Sequence, residues 1–130
     1  MTDPQELLKK YKTIAVVGLS DDPTRPSHTT TKYMLSQGYN IIPVNPKCQE
    51  ILGRKCYASL SDIPEKVDIV NVFRKAEDVL PIADEAIKIG AKVLWLQLGI
   101  INQEAATKAT KAGLEVVMDR CVKIEHAYTR

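Results

Sequence analysis

Ser20, Thr24, Arg25 and Ser27 fall within residues 18–27 (GLSDDPTRPS), between an apolar run and a segment of helical spacing. Hydroxyl and guanidinium donors beside the free N–H groups of a helix start are what a pyrophosphate needs. Gly18 is the lone glycine of this loop, so neither GxGxxG nor GxxxxGK[ST] is present. The same residues read equally as an ordinary polar connection with Gly18 in a tight turn.

A second apolar run ends in Asn45-Pro46-Lys47. NAD enzymes usually carry Asp or Glu at this place for the ribose hydroxyls, whereas Lys47 would attract a phosphorylated ribose. NADP and coenzyme A both carry one. Away from a strand end, Lys47 would read only as a solvated cation. Phe73-Arg74 closes a third run. The ring suits the lining of an adenine or pantetheine slot and the guanidinium suits phosphate, although a strand-terminal Phe more often packs. Trp95 reads as core or interface. Catalysis leaves no comparable trace: there is no GxSxG, and His28 and His126 lie on separate segments. His28 suits anion assistance or a helix cap. Cys121, beside Arg120, is a candidate for exchange with a ligand thiol or a small packing residue. Cys48 adjoins Lys47.

Something must hold these groups at one edge. The 130 residues, 45% of them hydrophobic, suffice for one cored domain over 1–130. Eighteen Lys plus Arg against sixteen Asp plus Glu leave a formal +2, and the cations are scattered rather than striped. A nucleic-acid partner is therefore not expected. No run approaches the roughly 20 apolar residues of a membrane span. Residues 1–12 are polar and lack a signal-peptide core, so a cytoplasmic location is expected. Cys48, Cys56 and Cys121 form no CxxC pair and are expected to be thiols, with no metal site.

Residues 13–17 (TIAVV), 40–44 (NIIPV), 67–72 (VDIVNV), 93–96 (VLWL) and 115–118 (EVVM) are short branched apolar runs that read as buried strands. Between them, residues 27–37, 78–89 and 102–112 have helical spacing, and each is closed by a glycine. Asn102 is a plausible N-cap, with Ala105, Ala106, Ala109 and Ala112 forming a small-residue face. Asp3-Pro4 opens a leading helix with Leu7, Leu8 and Tyr11 as its apolar face. Residues 50–64 replace a full crossover helix with short turns. Right-handed crossovers then predict an α/β, Rossmann-like doubly wound sheet of five parallel strands, with helices on both faces. The carboxyl edge of that sheet collects Gly18, Asn45, Phe73, Gln97 and Asp119, together with Lys47, Arg74, Lys75 and Arg120, a polar and cationic set.

Taken together, IAVVGLSDDPTRPSH, IIPVNPK, ILGRKCYASLSDIP, VDIVNVFRKAEDV, KVLWLQLGI and GLEVVMDRC resemble the small stand-alone CoA-binding proteins over nearly the whole chain. That family is similar to the CoA-binding domain of the succinyl-CoA synthetase alpha subunit. The resemblance implies that Gly18, Ser20, Asp22, Thr24, Arg25 and Ser27 surround the pyrophosphate. It puts Lys47 near the phosphorylated ribose, and Phe73, Arg74, Gln97, Gly99 and Cys121 along the cofactor's path. Asp22 is awkward there unless its N–H, not its carboxylate, points inward. The synthetase's second domain, with its phosphohistidine, and its partner subunit have no counterpart here, so synthetase activity is not expected.

The first expectation is a cytoplasmic protein that binds CoA or acyl-CoA without chemistry of its own. A small NADP-dependent reductase is the alternative from the enzyme class, and a thiol-redox protein acting through Cys121 is a third. Branched residues near Trp95 or on the leading helix would suit a homodimer.

Overall fold

The computed structural model of the chain describes residues 3–128, which leaves Met1 and Thr2 of the polar start outside it. The leading helix α1 (Pro4–Lys10) begins at Asp3, whose carboxylate accepts the Gln5 N–H at 2.9 Å. Strand β1 (Thr13–Val17), helix α2 (Pro26–Ser36) and strand β2 (Asn40–Val44) follow. A small hairpin, β3 (Glu50–Ile51) with β4 (Arg54–Lys55), then occupies the stretch without a crossover helix. The chain continues through β5 (Ile69–Val72), α3 (Val79–Lys88), β6 (Val93–Leu96), α4 (Gln103–Lys111), β7 (Glu115–Val117) and α5 (Val122–Ala127).

Five strands form one sheet in the order β2-β1-β5-β6-β7, and every neighbouring pair is parallel. This is the doubly wound arrangement expected from the alternation of elements. The period of two along each strand divides the core between the faces. Ala15, Val17, Val70, Val72, Leu94 and Leu96 pack with Ala83, Ala86, Ala105 and Ala109 of α3 and α4. On the other face, Ile14, Val16, Ile69, Val93 and Trp95 pack with Leu7, Leu8, Met34 and Val122 of α1, α2 and α5. Alanines on α3 and α4 let those helices lie close to the sheet, because no long side chain has to be accommodated between the layers.

The differences from expectation are local. β5 starts at Ile69, and Asp68, the second residue of the run, accepts the Thr13 N–H through its carboxylate at 3.2 Å just before it. β7 ends before Met118, and Asp119 beyond it has φ +58. Helix α5 was not anticipated: its apolar contact rests on Val122, too sparse a pattern to show periodicity. Tyr11 caps α1 and is only partly buried. Trp95 is fully buried, its indole N–H donating to the Arg120 carbonyl at 2.8 Å, so of its two readings core holds. Leu7 and Leu8 are likewise used inside the chain. Leu98 and Ile101, just beyond β6, are exposed. Among the described residues no helix is long and apolar enough to cross a membrane.

Candidate functional site

After β1 the chain moves to one side to form β2, then returns across β1 to form β5 on the other side. The loops leaving β1 and β5 therefore diverge, and a crevice opens at their carboxyl ends. Gly18 sits there with φ +85 and donates its N–H to the Val44 carbonyl at 3.1 Å. A Cβ on Gly18 would lie 3.0 Å from the Phe73 carbonyl oxygen and 2.9 Å from Arg74 Cδ. Glycine is required here both for its left-handed backbone and for the close approach of β5.

The rest of the loop is held from below and from the side. Leu19 is fully buried, and its carbonyl accepts from Asn45 Nδ2 at 2.9 Å. Asn45 Oδ1 in turn accepts the Lys47 N–H at 2.9 Å, so one side chain ties the β1 and β2 exits together. Ser27, buried at the start of α2, accepts the Ser20 N–H through Oγ at 3.0 Å. Ser20 Oγ accepts the Asp22 N–H at 3.0 Å. Both hydroxyl oxygens are thus acceptors within the loop, which leaves their protons to donate.

Two hollows meet at this loop. A cleft of about 540 Å³ on the α3 side is lined by Gly18, Ser20, Lys47 and Arg74 among others. A second, of about 400 Å³, is lined by Gly18, Ser20, Arg25, Pro26, Ser27 and Phe73. The fold thereby brings seven of the candidate residues, contributed by the exits of β1, β2 and β5 and the start of α2, to one switch point. The larger cleft is of mixed charge rather than simply cationic. Glu77 and Asp78, in the turn that leads into α3, also line it, as does Glu85. Asp78 pairs with Arg74 at 3.4 Å, both half exposed. Glu85 accepts the N–H and O–H of Ser61 at 3.1 and 2.9 Å. Carboxylates are favoured at a helix start, and α3 happens to start at the rim of the cleft.

The remaining candidates line neither hollow. The exposed Asp22 carboxylate accepts the Thr24 N–H and hydroxyl at 2.9 and 2.8 Å, and these bonds hold it below the usual carboxylate range. Its own N–H is taken by Ser20, so neither polar group of Asp22 is aimed at a ligand. Gln97 is buried and donates to Asn71 Oδ1. The Gly99 N–H donates to Asp119 Oδ1 at 2.6 Å. Cys121 is the half-buried N-cap of α5. Burial, then Asp21, pushes the Cys48 thiol up. Burial, followed by Cys48, Asp21 and Glu50, pushes Cys56 to about 11. His126 bonds to the Tyr33 hydroxyl through Nδ1 at 2.8 Å. Among the described residues no three His, Cys, Asp or Glu side chains group to hold a metal ion.

Sequence reasoning gave no role in the site to Leu19, Glu77, Asp78 and Glu85, and it placed Asn45 at the edge without the tie that its side chain makes. Asn45 carried a signal, a polar amide between strand and Pro46, and the acidic pair before α3 marked a helix start. Leu19 carried none, since a lone leucine in a polar loop does not show which way it points.

A parallel sheet whose switch point opens into a polar cleft beside a helix start defines a Rossmann-like α/β domain. The chain belongs to the CoA binding domain family, which residues 12–127 match. It is 47% identical over 126 residues to the uncharacterized protein YneT of Bacillus subtilis, covering 97% of this chain and 93% of that one. It is 28% identical over 121 residues to acetate–CoA ligase (ADP-forming) I of Archaeoglobus fulgidus, covering 85% of this chain but 18% of the ligase. Among solved structures, a hypothetical protein from Pyrococcus horikoshii superposes with a TM-score of 0.94 at 46% identity, over 98% of this chain and 91% of that one. The dinucleotide-forming acetyl-coenzyme A synthetase 1 of Ca. Korarchaeum cryptofilum superposes with a TM-score of 0.71 at 30% identity, over 81% of this chain and 25% of the synthetase.

Proposed function

We propose that the chain binds coenzyme A or an acyl-CoA in the cytoplasm and performs no ligase reaction of its own. The observation that carries this reading is the meeting of the Gly18 turn and Lys47 on one cleft at the switch point. In this reading the Ser20 and Ser27 hydroxyls and the Arg25 guanidinium receive the pyrophosphate at the start of α2, and Gly18, whose N–H is held by the Val44 carbonyl, contributes the turn that lets the loop take its course beside β5. Asp22 and Thr24 hold the loop's shape through their mutual hydrogen bonds rather than by touching phosphate. Lys47 meets the 3′-phosphate of the adenosine. Phe73 and Arg74 flank the path at the end of β5, and Gln97, Gly99 and Cys121 lie further along the same edge, toward the arm that ends in the thiol. The ligases that the chain resembles are several times longer, and the ligation chemistry named for them is not carried over.

Lys47→Ala tests the reading. Loss of one charge-assisted contact corresponds to about tenfold in affinity. Calorimetry should show that weakening for CoA and almost none for dephospho-CoA, which lacks the 3′-phosphate. Equal losses for the two ligands would refute the role of Lys47, and tighter binding of NADP than of CoA would refute the choice of cofactor.

A further inference from the structure

The two edges of the sheet are finished differently. Along β2, Pro43 has no N–H to offer and its carbonyl accepts the Tyr57 N–H at 3.0 Å, while the Asn45 N–H donates to the Tyr57 carbonyl at 2.9 Å. That edge is closed within the chain. On the other side β7 is the last strand, and among the described residues it pairs only with β6. The Glu115 N–H donates to the Lys92 carbonyl at 3.0 Å, so the period of two turns the N–H and carbonyl of Val116 outward, away from β6. An edge left in this form is a template for another strand.

The surface beside this edge has a matching shape. A groove of about 530 Å³ is lined by Leu114, Val116 and Met118 along β7 and by Ala106, Thr107 and Thr110 of α4. A second hollow, of about 420 Å³, has Glu104 and Lys108 in its lining. Gln103, Thr107 and Lys111, a turn apart, line both and form an exposed ridge with a hollow on each side, the relief by which helices interlock. Glu104 stands in the first turn of α4 and Lys111 is its last residue. Neither has an ion pair among the described residues, whereas Lys108 is held by Asp84 at 2.5 Å.

We propose that two copies of the chain pair through β7 and α4 about a two-fold axis beside Val116, joining their sheets into one of ten strands. The two β7 strands run antiparallel with Val116 opposite Val116 of the second copy, each N–H donating to the other's carbonyl, and Leu114 meets Met118 across the axis. A crossover helix runs antiparallel to the strands it joins, so the two α4 helices also meet antiparallel, at Thr107. Glu104 of each copy then stands beside Lys111 of the other, which makes the charges of the surface complementary to themselves. β7 lies two strands beyond β5, so both clefts stay open whatever they hold.

Sedimentation velocity of the full chain tests the pairing. At about 100 µM the wild type should sediment with twice the mass of one chain. Thr107→Arg sets two guanidinium groups against each other at the axis, and Val116→Pro removes an N–H that the chain itself does not use; both should sediment as monomers with unchanged circular dichroism. Lys111→Glu sets carboxylate against carboxylate and should weaken dimerisation about tenfold, and adding Glu104→Lys should restore it. Both of those residues are exposed, so the charge exchange decides the matter even if Val116→Pro fails to fold. A wild type that stays monomeric overturns the proposal. So does a dimer that persists in folded Thr107→Arg, or one that the second charge change does not restore.

Discussion

Gly18→Ala puts a methyl group where the chain has no room for one. Two separate costs arise. The backbone at φ +85 lies where an alanine is strained by about 1–3 kcal/mol. The new Cβ would also stand 3.0 Å from the Phe73 carbonyl oxygen, a backbone atom that moves only if the end of β5 moves; Arg74 Cδ, at 2.9 Å, can swing aside. Gly38 supplies the control, because its φ of +90 imposes a similar strain while nothing lies within 4 Å of its Cβ. For a domain of this size, 1 kcal/mol corresponds to about 3–5 °C in Tm. Gly38→Ala should therefore lower Tm by about 5 °C, and Gly18→Ala by about 10 °C. In calorimetry, Gly18→Ala should also weaken CoA by about tenfold, because the loop that carries Ser20 is displaced, while Gly38→Ala leaves affinity intact. Equal Tm losses in the two variants, together with unchanged CoA affinity in Gly18→Ala, would refute the argument that β5 and the first loop are in forced contact.

Asp78→Asn removes a carboxylate that lines the cleft and pairs with Arg74. CoA affinity should rise about threefold at low salt, and less at 0.5 M salt, where screening is stronger; an affinity insensitive to the change would place the ligand's phosphates away from Arg74. His126 is held below its ordinary pKa first by burial and then by Lys12. The unfolded chain thus binds this proton more readily, and stability must decline as pH falls through about 6.5, the loss being complete once pH is below the folded value. Thermal melts from pH 7.5 to 5 should show a smaller decline for His126→Gln than for wild type, and parallel declines would count against the assignment.

Much of the architecture was legible because it depends on short-range pattern. The five apolar runs and the glycine-closed helical segments set the alternation of elements, and the handedness of crossovers left a parallel sheet as the outcome. Gly18, Ser20, Arg25, Ser27, Lys47, Phe73 and Arg74 were legible as strand-end and helix-start residues for the same reason. Helix α5 was not, since Val122 is its one fully buried side chain and its stability comes from packing on α1 and α2. The carboxylates of Glu77 and Asp78 were visible as a helix start, but not as part of the rim of a cleft.

The residue types and their order along the chain are enough to determine which loops leave the carboxyl ends of strands, because hydrophobic period and turn chemistry are local properties. Which of those loops share a cleft is a different matter. Gly18 touches Phe73 across 55 positions of sequence only because β5 returns to lie beside β1. Asn45 reaches Leu19 because β2 pairs with β1, and Asn71 meets Gln97 because β6 pairs with β5. Contacts between distant segments depend on strand order and register, and these are settled when both faces of the sheet are buried together.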